Sequence, residues 1–222
     1  MVTIDPEREE SELREYLGDS YDRSRLERYG EQLDEEFERV GDEQSFYRSS
    51  EGYLYNLTAF AMTRTKEPYL KLLTETVAPP ARLLDYGCGI GSDGLVLLEE
   101  GYRVEFADFD NPSTRYLRWR LDRRGVEAPI YDLDIGRPPT GFDLAFALDV
   151  IEHVEDPLAF LSELEERADL VLVNFLEDEP CDTPLHRKLP VRKLVRHAKR
   201  RNLREYEVMH GRSHVVLYAP AA

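Results

Sequence analysis

A glycine-rich turn within the segment from Leu83 to Gly101 has the composition of a ligand site. Three alternating glycines, Gly87, Gly89 and Gly91, follow an apolar run and precede a predicted helix. Because glycine has no side chain, a ligand can approach the backbone of such a turn closely. Free N–H groups at the start of the helix favour a carboxylate or a phosphate. Three alternating glycines exceed what a tight turn needs for its geometry, so we predict that this turn binds a ligand.

Two classes of cofactor fit the turn. The dinucleotide pattern GxGxxG is matched from Gly89 onward, but that pattern should begin directly at a strand end, and here three residues precede it. The full string from Asp85 to Gly91, DYGCGIG, resembles motif I of the class I S-adenosylmethionine (SAM) dependent methyltransferases. This resemblance implies that Asp85 lies beside the amino group of SAM. It also implies that the methionine part of SAM lies over Gly87, Cys88, Gly89 and Gly91.

The end of the second predicted strand supplies a carboxylate for a ribose. Asp108 follows Asp85 by 23 residues, close to the spacing of about 20 expected for an acid that binds ribose hydroxyls. A carboxylate can accept hydrogen bonds from both hydroxyls, and it would repel the 2′-phosphate of NADP. Both SAM and NAD carry this ribose. Asp110 is the rival ligand, but the apolar pattern of the strand ends at Asp108. We expect Phe109 to pack on the adenine.

A second resemblance, at the predicted fourth strand, favours SAM over NAD. Residues Phe142 to Pro157, FDLAFALDVIEHVEDP, are similar to the motif IV region of the same methyltransferases, FD…DV-EHV-DP. Nucleotide oxidoreductases have no reason to carry this segment. The resemblance extends from about Ala81 to Ala219 and leaves the preceding residues outside it. It implies that Asp149 lies at the cofactor.

The same resemblance implies an adenine contact after the third predicted strand. In that family, an acidic residue at the end of the third strand accepts a hydrogen bond from the adenine amino group, and the N–H of the next residue contacts the adenine ring. Asp134, followed by Ile135, matches best. Asp132 lies close enough to leave the register open.

His153 is the candidate catalytic residue. Neutral imidazole can accept a proton from a hydroxyl or amine nucleophile near neutral pH, although in many members of the family the same histidine only fixes a loop. A divalent metal ion would also lower the pKa of a substrate hydroxyl. Acidic and imidazole side chains for such an ion are Asp149, Glu152, His153, His186, His210 and His214. Nothing in the sequence fixes their geometry, and we predict no metal site.

Strands that alternate with helices position these residues. The predicted strands are 82–85, 103–108, 128–133, 142–148, 170–175, 203–209 and 214–219; the helices between them include 92–100, 157–166 and 191–201. This alternation predicts an α/β fold with a doubly wound, mostly parallel sheet. By resemblance to the methyltransferase fold, the sheet has seven strands, the last of them antiparallel. Carboxyl ends of parallel strands line the ligand crevice of such sheets.

Residues 1–78 are predicted to form a helical cap on the substrate side, and residues 79–222 a SAM-binding domain. Helices are expected at 5–18, 22–40 and 57–77, whereas the polar and aromatic residues 42–56 resemble a loop. Flat aromatic rings with polar tips suit a substrate pocket. The candidate substrate contacts are Tyr47, Tyr53 and Tyr55, and His186 at the end of a polar loop that begins at Glu177.

Composition excludes several classes of function. The formal net charge of −16 over 222 residues opposes non-specific binding to nucleic acid. The chain contains no apolar run of ~18 residues, so we expect no membrane span. Two cysteines, Cys88 and Cys181, do not make a disulfide framework, and reduced thiols in a cytoplasmic protein are the default. The oligomeric state is left open.

These observations predict a SAM-dependent methyltransferase that methylates an O or N atom of a small-molecule acceptor and releases S-adenosylhomocysteine. An aromatic cap suits a small hydrophobic or aromatic acceptor, as in specialised metabolism. Two alternatives are an NAD-dependent oxidoreductase and a SAM-binding regulatory protein without turnover. Binding of NADH would indicate the first alternative, and tight SAM binding without any demethylated cofactor would indicate the second.

Overall fold

The computed structural model describes residues 2–177 and 185–220. Seven strands form one sheet in the order β3-β2-β1-β4-β5-β7-β6. The strands are β1 Arg82–Tyr86, β2 Arg103–Asp108, β3 Ile130–Asp132, β4 Leu144–Ala147, β5 Val171–Leu176, β6 Asn202–Met209 and β7 Ser213–Ala219. Neighbouring strands are parallel, except that β7 runs antiparallel to both β5 and β6. The predicted doubly wound, mostly parallel seven-stranded sheet is confirmed.

The order of the strands reverses beside β1, which pairs with β2 on one side and β4 on the other. Side chains of β4 are buried along its whole length, as expected for a strand covered on both faces. The loops that follow β1, β2 and β4 therefore leave the same edge of the sheet next to the switch in strand order, where open α/β sheets bind their ligands.

Within the described residues, four α-helices follow β1, at α7 Ser92–Glu99, α8 Pro112–Arg124, α9 Pro157–Glu165 and α10 Val191–Arg200. A short 3-10 turn, Ile151–His153, lies between β4 and α9. The strand β3 is shorter than predicted. It ends at Asp132 because the chain turns there, with the N–H groups of Ile135 and Gly136 donating to the carbonyl of Asp132 at 3.1 Å each.

Six helices precede the sheet and form the predicted N-terminal cap. They are α1 Pro6–Leu17, α2 Arg23–Glu27, α3 Tyr29–Val40, α4 Glu43–Ser49, α5 Gly52–Met62 and α6 Glu67–Thr76. The expectation of a loop at 42–56 was wrong, because this stretch forms α4 and the start of α5. The carboxylate of Asp42 caps α4 by accepting from the N–H of Ser45 at 2.7 Å. The break predicted near Pro68 falls between α5 and α6, and this proline lies in the first turn of α6.

Arg120 of α8 anchors the cap beside the glycine turn. Its fully buried guanidinium donates to Glu9 and to Glu12, at 2.8 Å for the latter, which ties α1 to α8. It also donates to the Ile90 carbonyl at 3.0 Å and to the Ser92 hydroxyl at 2.9 Å. Because Ile90 lies in the glycine turn and Ser92 is the first residue of α7, this network fixes the cap against the loop that we predicted to bind a ligand.

The cap and the sheet share buried apolar residues. Leu70 and Leu73 of α6 belong to the same cluster as Leu83 of β1 and Phe106 of β2. The division at residue 78 stays a prediction.

No helix within the described residues is long and apolar enough to cross a membrane.

Candidate active site

The glycine turn after β1 has the backbone geometry that the sequence pattern requires. Gly87 has a φ of 77° and Gly91 a φ of 74°, in the left-handed region that glycine adopts without strain. A Cβ atom at Gly87 would lie 2.7 Å from the methyl groups of Val150, so the turn has no room for a side chain there. The N–H groups of Gly87 and Cys88 donate to the Ala107 carbonyl at 2.8 and 3.2 Å, which holds the turn against β2.

A cavity of about 340 Å³ opens between this turn, the strand ends and the cap. Predicted site residues in its wall are Gly87, Cys88, Gly89, Asp108, Phe109, Asp149, His153, Tyr47 and Tyr53. Those that lie outside its wall are Asp85, Gly91, Asp134, Ile135, Tyr55 and His186. Wall residues that the sequence reasoning missed include Leu57, Lys66, Asp93, Leu133, Arg137, Phe160 and Glu163.

Asp108 lies at the end of β2, and its carboxylate faces the turn. One oxygen accepts from the Gly89 N–H at 2.8 Å and the other from the Phe109 N–H at 2.7 Å. Burial raises the pKa of Asp108 to about 6, although the two backbone N–H groups oppose that rise. Each carboxylate oxygen keeps a free acceptor site for a ribose hydroxyl. The rival Asp110 instead pairs on the surface with Arg118 of α8, at 3.0 Å.

Asp134 and Ile135, which we predicted to contact the adenine, lie outside the wall of the cavity. Arg48 of α4 donates two hydrogen bonds of 2.7 Å each to the carboxylate of Asp134, which is exposed. The side chain of Ile135 is 87% exposed. The turn that ends β3 at Asp132 directs both residues outward, and Leu133 reaches the cavity wall in their place.

Lys66 supplies a buried positive charge that the sequence reasoning missed. Its ammonium group donates to the Leu148 carbonyl at 2.9 Å and lies 3.3 Å from Asp93 and 3.6 Å from Asp149. Burial alone would lower the pKa of Lys66, but Asp93 and Asp149 raise it above its ordinary value. A lysine inside the predicted helix at 57–77 gives no signal of this role, because only the fold brings it to the segment that follows β4.

Asp85 lies beneath the turn rather than in the cavity wall. It is 5% exposed, and its Oδ2 atom has no hydrogen-bond partner among the described residues. Burial, and then the charge of Asp93, raises the pKa of Asp85 well above its usual range. Burial likewise raises the pKa of the Cys88 thiol, which stays protonated.

His153 and two tyrosines of the cap form the aromatic end of the cavity. The Tyr47 hydroxyl lies 2.9 Å from Nδ1 of His153, and the same nitrogen lies 3.1 Å from the Leu185 carbonyl. The rings of Tyr47 and Tyr53 meet edge to face, with centroids 5.2 Å apart. Burial and the neighbouring His186 lower the pKa of His153 to about 4, so its imidazole is neutral near pH 7.

The other two candidate substrate residues have different surroundings. The Tyr55 hydroxyl accepts from the Asp22 N–H at 2.9 Å, and its ring is buried inside the cap. The ring of His186 lies behind His153, with centroids 5.0 Å apart. Most of the predicted polar loop between Glu177 and His186 lies outside the described residues, and so does Cys181.

Comparisons with known proteins agree on the fold. Residues 57–207 match a family model described as a methyltransferase domain. The crystal structure of magnesium protoporphyrin IX methyltransferase (ChlM) from Synechocystis PCC 6803 with bound SAH is 14% identical, has a TM-score of 0.62 and aligns over 76% of this chain and 87% of that one. TehB from Haemophilus influenzae is 18% identical, with a TM-score of 0.58 over 68% of this chain.

A third similar structure is that of the pyocyanin biosynthetic protein PhzM, which is 15% identical, with a TM-score of 0.60 over 81% of this chain and 62% of that one. The chain spans 61% of the length of TehB. No curated protein matches the sequence significantly. At these identities the structural likeness shows the fold.

Proposed function

Because this chain belongs to the methyltransferase-domain family, we propose that it transfers a methyl group from S-adenosylmethionine to an O or N atom of a small-molecule acceptor. One observation carries this proposal. The bare glycine turn, the acid at the end of β2 and the neutral histidine after β4 all border one cavity. The family membership makes the NAD-dependent alternative the weaker one.

The charged groups of the cavity fit the methionine part of SAM. Asp149 lines the cavity, and its Oδ2 atom has no hydrogen-bond partner within residues 2–177 and 185–220. That oxygen would accept from the ammonium group of SAM, as would the Leu148 carbonyl. Lys66, held at the same place by Asp93, would pair with the carboxylate of SAM.

The nucleoside part fits the opposite side of the turn. Asp108 would accept from the ribose hydroxyls with the lone pairs that its two backbone contacts leave free. Phe109 is 44% exposed and borders the cavity, so its ring is available to pack on the adenine. Leu133 would cover the other edge of the base in place of Asp134 and Ile135.

Methyl transfer depends more on how the acceptor is positioned than on proton transfer. When bound, SAM supplies a methyl group on a sulfonium, which is already a good leaving group. The walls of the cavity hold the acceptor in line and exclude water. The neutral imidazole of His153 borders the acceptor end, and its Nε2 atom can accept a proton from a hydroxyl or amine.

The acceptor end favours a small aromatic or hydrophobic molecule. Its wall consists mainly of rings, from Tyr47, Tyr53, Phe60 and Phe160. Magnesium protoporphyrin IX methyltransferase and the pyocyanin biosynthetic protein share the fold, and both names refer to small molecules. This supports an acceptor of that size. The net charge of −16 argues against RNA or DNA as the acceptor.

Calorimetric titration tests the cofactor directly. We expect saturable binding of SAM and of S-adenosylhomocysteine at one site per chain, with no heat from NADH. An acceptor screen read out by S-adenosylhomocysteine release would then separate an enzyme from a regulatory protein. Saturable NADH binding without SAM binding would reverse the assignment, and tight SAM binding with no turnover on any acceptor pool would favour the regulatory protein.

A further inference from the structure

Three side chains at the acceptor end of the cavity, one in its wall and two behind it, bring potential metal ligands together. Glu152 and His153 belong to the 3-10 turn after β4, and His186 comes from the chain after β5. Each offers one ligand atom, and these atoms all lie within 4.8 Å of one another. We propose that Glu152, His153 and His186 bind one divalent transition-metal ion of the zinc type.

Glu152 gives the independent reason to expect a cation. Its side chain is 1% exposed, and neither carboxylate oxygen has a hydrogen-bond partner in the described part of the chain. An ionised carboxylate is costly to bury without a partner, so buried carboxyl groups are normally protonated, paired with a cation or bound to a metal. The positive charges of Lys66 and Arg212 act on Glu152 through space, but neither donates a hydrogen bond to it.

His153 is oriented as a metal ligand would be. Its Nδ1 atom lies 3.1 Å from the Leu185 carbonyl, which can only accept, and 2.9 Å from the Tyr47 hydroxyl, which can donate or accept; a hydrogen on Nδ1 satisfies both contacts. The lone pair is then on Nε2. Metal-bound histidines usually donate their other ring N–H to a carbonyl or carboxylate in this way, which fixes the tautomer and the ring. The Leu185 carbonyl therefore fits the role of an outer partner.

The ligand chemistry points to zinc rather than to magnesium or calcium. Two imidazole nitrogens and one carboxylate oxygen suit Zn²⁺, whereas magnesium and calcium prefer oxygen ligands alone. Bond lengths of about 2.0–2.2 Å around a tetrahedral ion separate its ligand atoms by about 3.4 Å. Small side-chain rotations would close the observed separation of up to 4.8 Å to that value.

Only His153 of the three residues lines the cavity. The ion would therefore join the segment after β5 to the turn after β4 and fix the ring at the acceptor end. Nε2 cannot hold a metal and accept a proton at the same time. When the metal is bound, His153 only positions the wall of the cavity. Without the metal, its Nε2 atom is available to accept a proton.

The test uses the full chain, stripped with a chelator and titrated with Co²⁺ and Zn²⁺. We expect one Co²⁺ per chain with the visible bands of a tetrahedral site, displaced by Zn²⁺. Glu152→Gln and His186→Asn should each weaken binding at least about tenfold. His210→Asn is the matched control, because His210 is exposed and bonds to the Thr65 carbonyl instead; it should bind the metal as the wild type does.

Thermal melts show whether the variants still fold. Without metal, Glu152→Gln should melt no lower than the wild type, because it replaces a buried carboxyl group that has no hydrogen-bond partner with a neutral amide of nearly the same shape. Zn²⁺ should raise the melting temperature of the wild type but not that of Glu152→Gln. Absence of stoichiometric Co²⁺ binding, or equal binding by Glu152→Gln, would overturn the metal site. SAM titration is a separate measurement, so this failure would leave the proposed function standing.

Discussion

Asp149 and Asn174 hold each other through a reciprocal pair of hydrogen bonds. The Asp149 N–H donates to Oδ1 of Asn174 at 2.8 Å, and Nδ2 of Asn174 donates to Oδ1 of Asp149 at 2.7 Å. Asp149 has a φ of 57°, a left-handed conformation that is uncommon for a residue with a side chain. The fully buried amide of Asn174, on β5, thus fixes the strained end of β4 where Asp149 borders the cavity.

We expect Asn174→Ala to lower the free energy of unfolding by about 1–3 kcal/mol, because it leaves polar partners without hydrogen bonds. The affinity for SAM should fall as well, since Asp149 loses its support. Urea unfolding and calorimetry measure the two effects. Asn202→Ala, at an exposed position, is the control and should change neither. An unaltered affinity in Asn174→Ala would show that Asp149 does not need this support.

Asp108→Ala should weaken SAM binding by about 1–3 kcal/mol, the cost of losing hydrogen bonds to a charged group. Asp110→Ala removes the rival acid, which pairs with Arg118 on the surface, and should leave the affinity for SAM unchanged. Calorimetric titration of both variants decides between the two acids. If Asp110→Ala weakened SAM binding and Asp108→Ala did not, the acid that binds the ribose would be Asp110.

SAM affinity should depend on pH through Asp108. The pKa of Asp108 in the folded protein is about 6, above the ordinary value of 3.8. Protonated Asp108 therefore favours the folded state at low pH, and this contribution to the free energy of unfolding is lost as pH rises through about 6. Binding of ribose needs the ionised form. The affinity should therefore drop about tenfold between pH 7 and pH 5. Asp108→Asn keeps the shape but cannot ionise, and its affinity should lose this part of the pH dependence; a profile equal to that of the wild type would contradict the assignment.

Lys66→Met removes the only cation that directly contacts Asp93 and Asp149 among the described residues. Breaking a largely buried ion pair on one side leaves uncompensated charge, so we expect a loss of about 3 kcal/mol in unfolding free energy together with weaker SAM binding. Lys71→Met is the control, because Lys71 forms an exposed pair with Glu75 whose contribution is small. Denaturant unfolding compares the two variants, and equal stabilities would refute the role of Lys66.

His153→Gln should lower kcat about 100-fold on an O or N acceptor if the imidazole takes up the proton, with SAM affinity retained because Asp108 and Lys66 are untouched. Single-turnover rates, measured with metal-free protein and an acceptor from the screen, would show the effect. A rate within a few-fold of the wild type would mean that His153 serves only to shape the loop.

The fold and the cofactor side of the cavity could be predicted from local patterns. The glycine turn, Asp108 and the segment around Asp149 all follow strands whose apolar runs are visible in the sequence. The position of Asp134 could not be predicted in this way, because β3 ends early and the turn at Asp132 directs Asp134 toward Arg48 of the cap. The role of Lys66 could not be predicted either, since its partners lie in α7 and in the segment after β4 and meet it only in the folded chain.

The stretch at 42–56 illustrates a second limit. Its polar and aromatic composition suggested a loop, but the Asp42 cap starts α4 there, and packing of Phe46, which is fully buried, overrides the weak local preference. Tyr47 and Tyr53 still reach the cavity, whereas Tyr55 faces the interior of the cap. Rotation along a helix separates these neighbours, and a loop assignment could not distinguish them.

A crystal structure with S-adenosylhomocysteine is the most direct test of the central claim. We predict that the ribose hydroxyls bind the carboxylate of Asp108, that the amino acid end lies between Lys66 and Asp149, and that the sulfur points toward Tyr47 and His153. A nicotinamide in the cavity, or a nucleoside bound away from the turn at residues 87–91, would contradict the account.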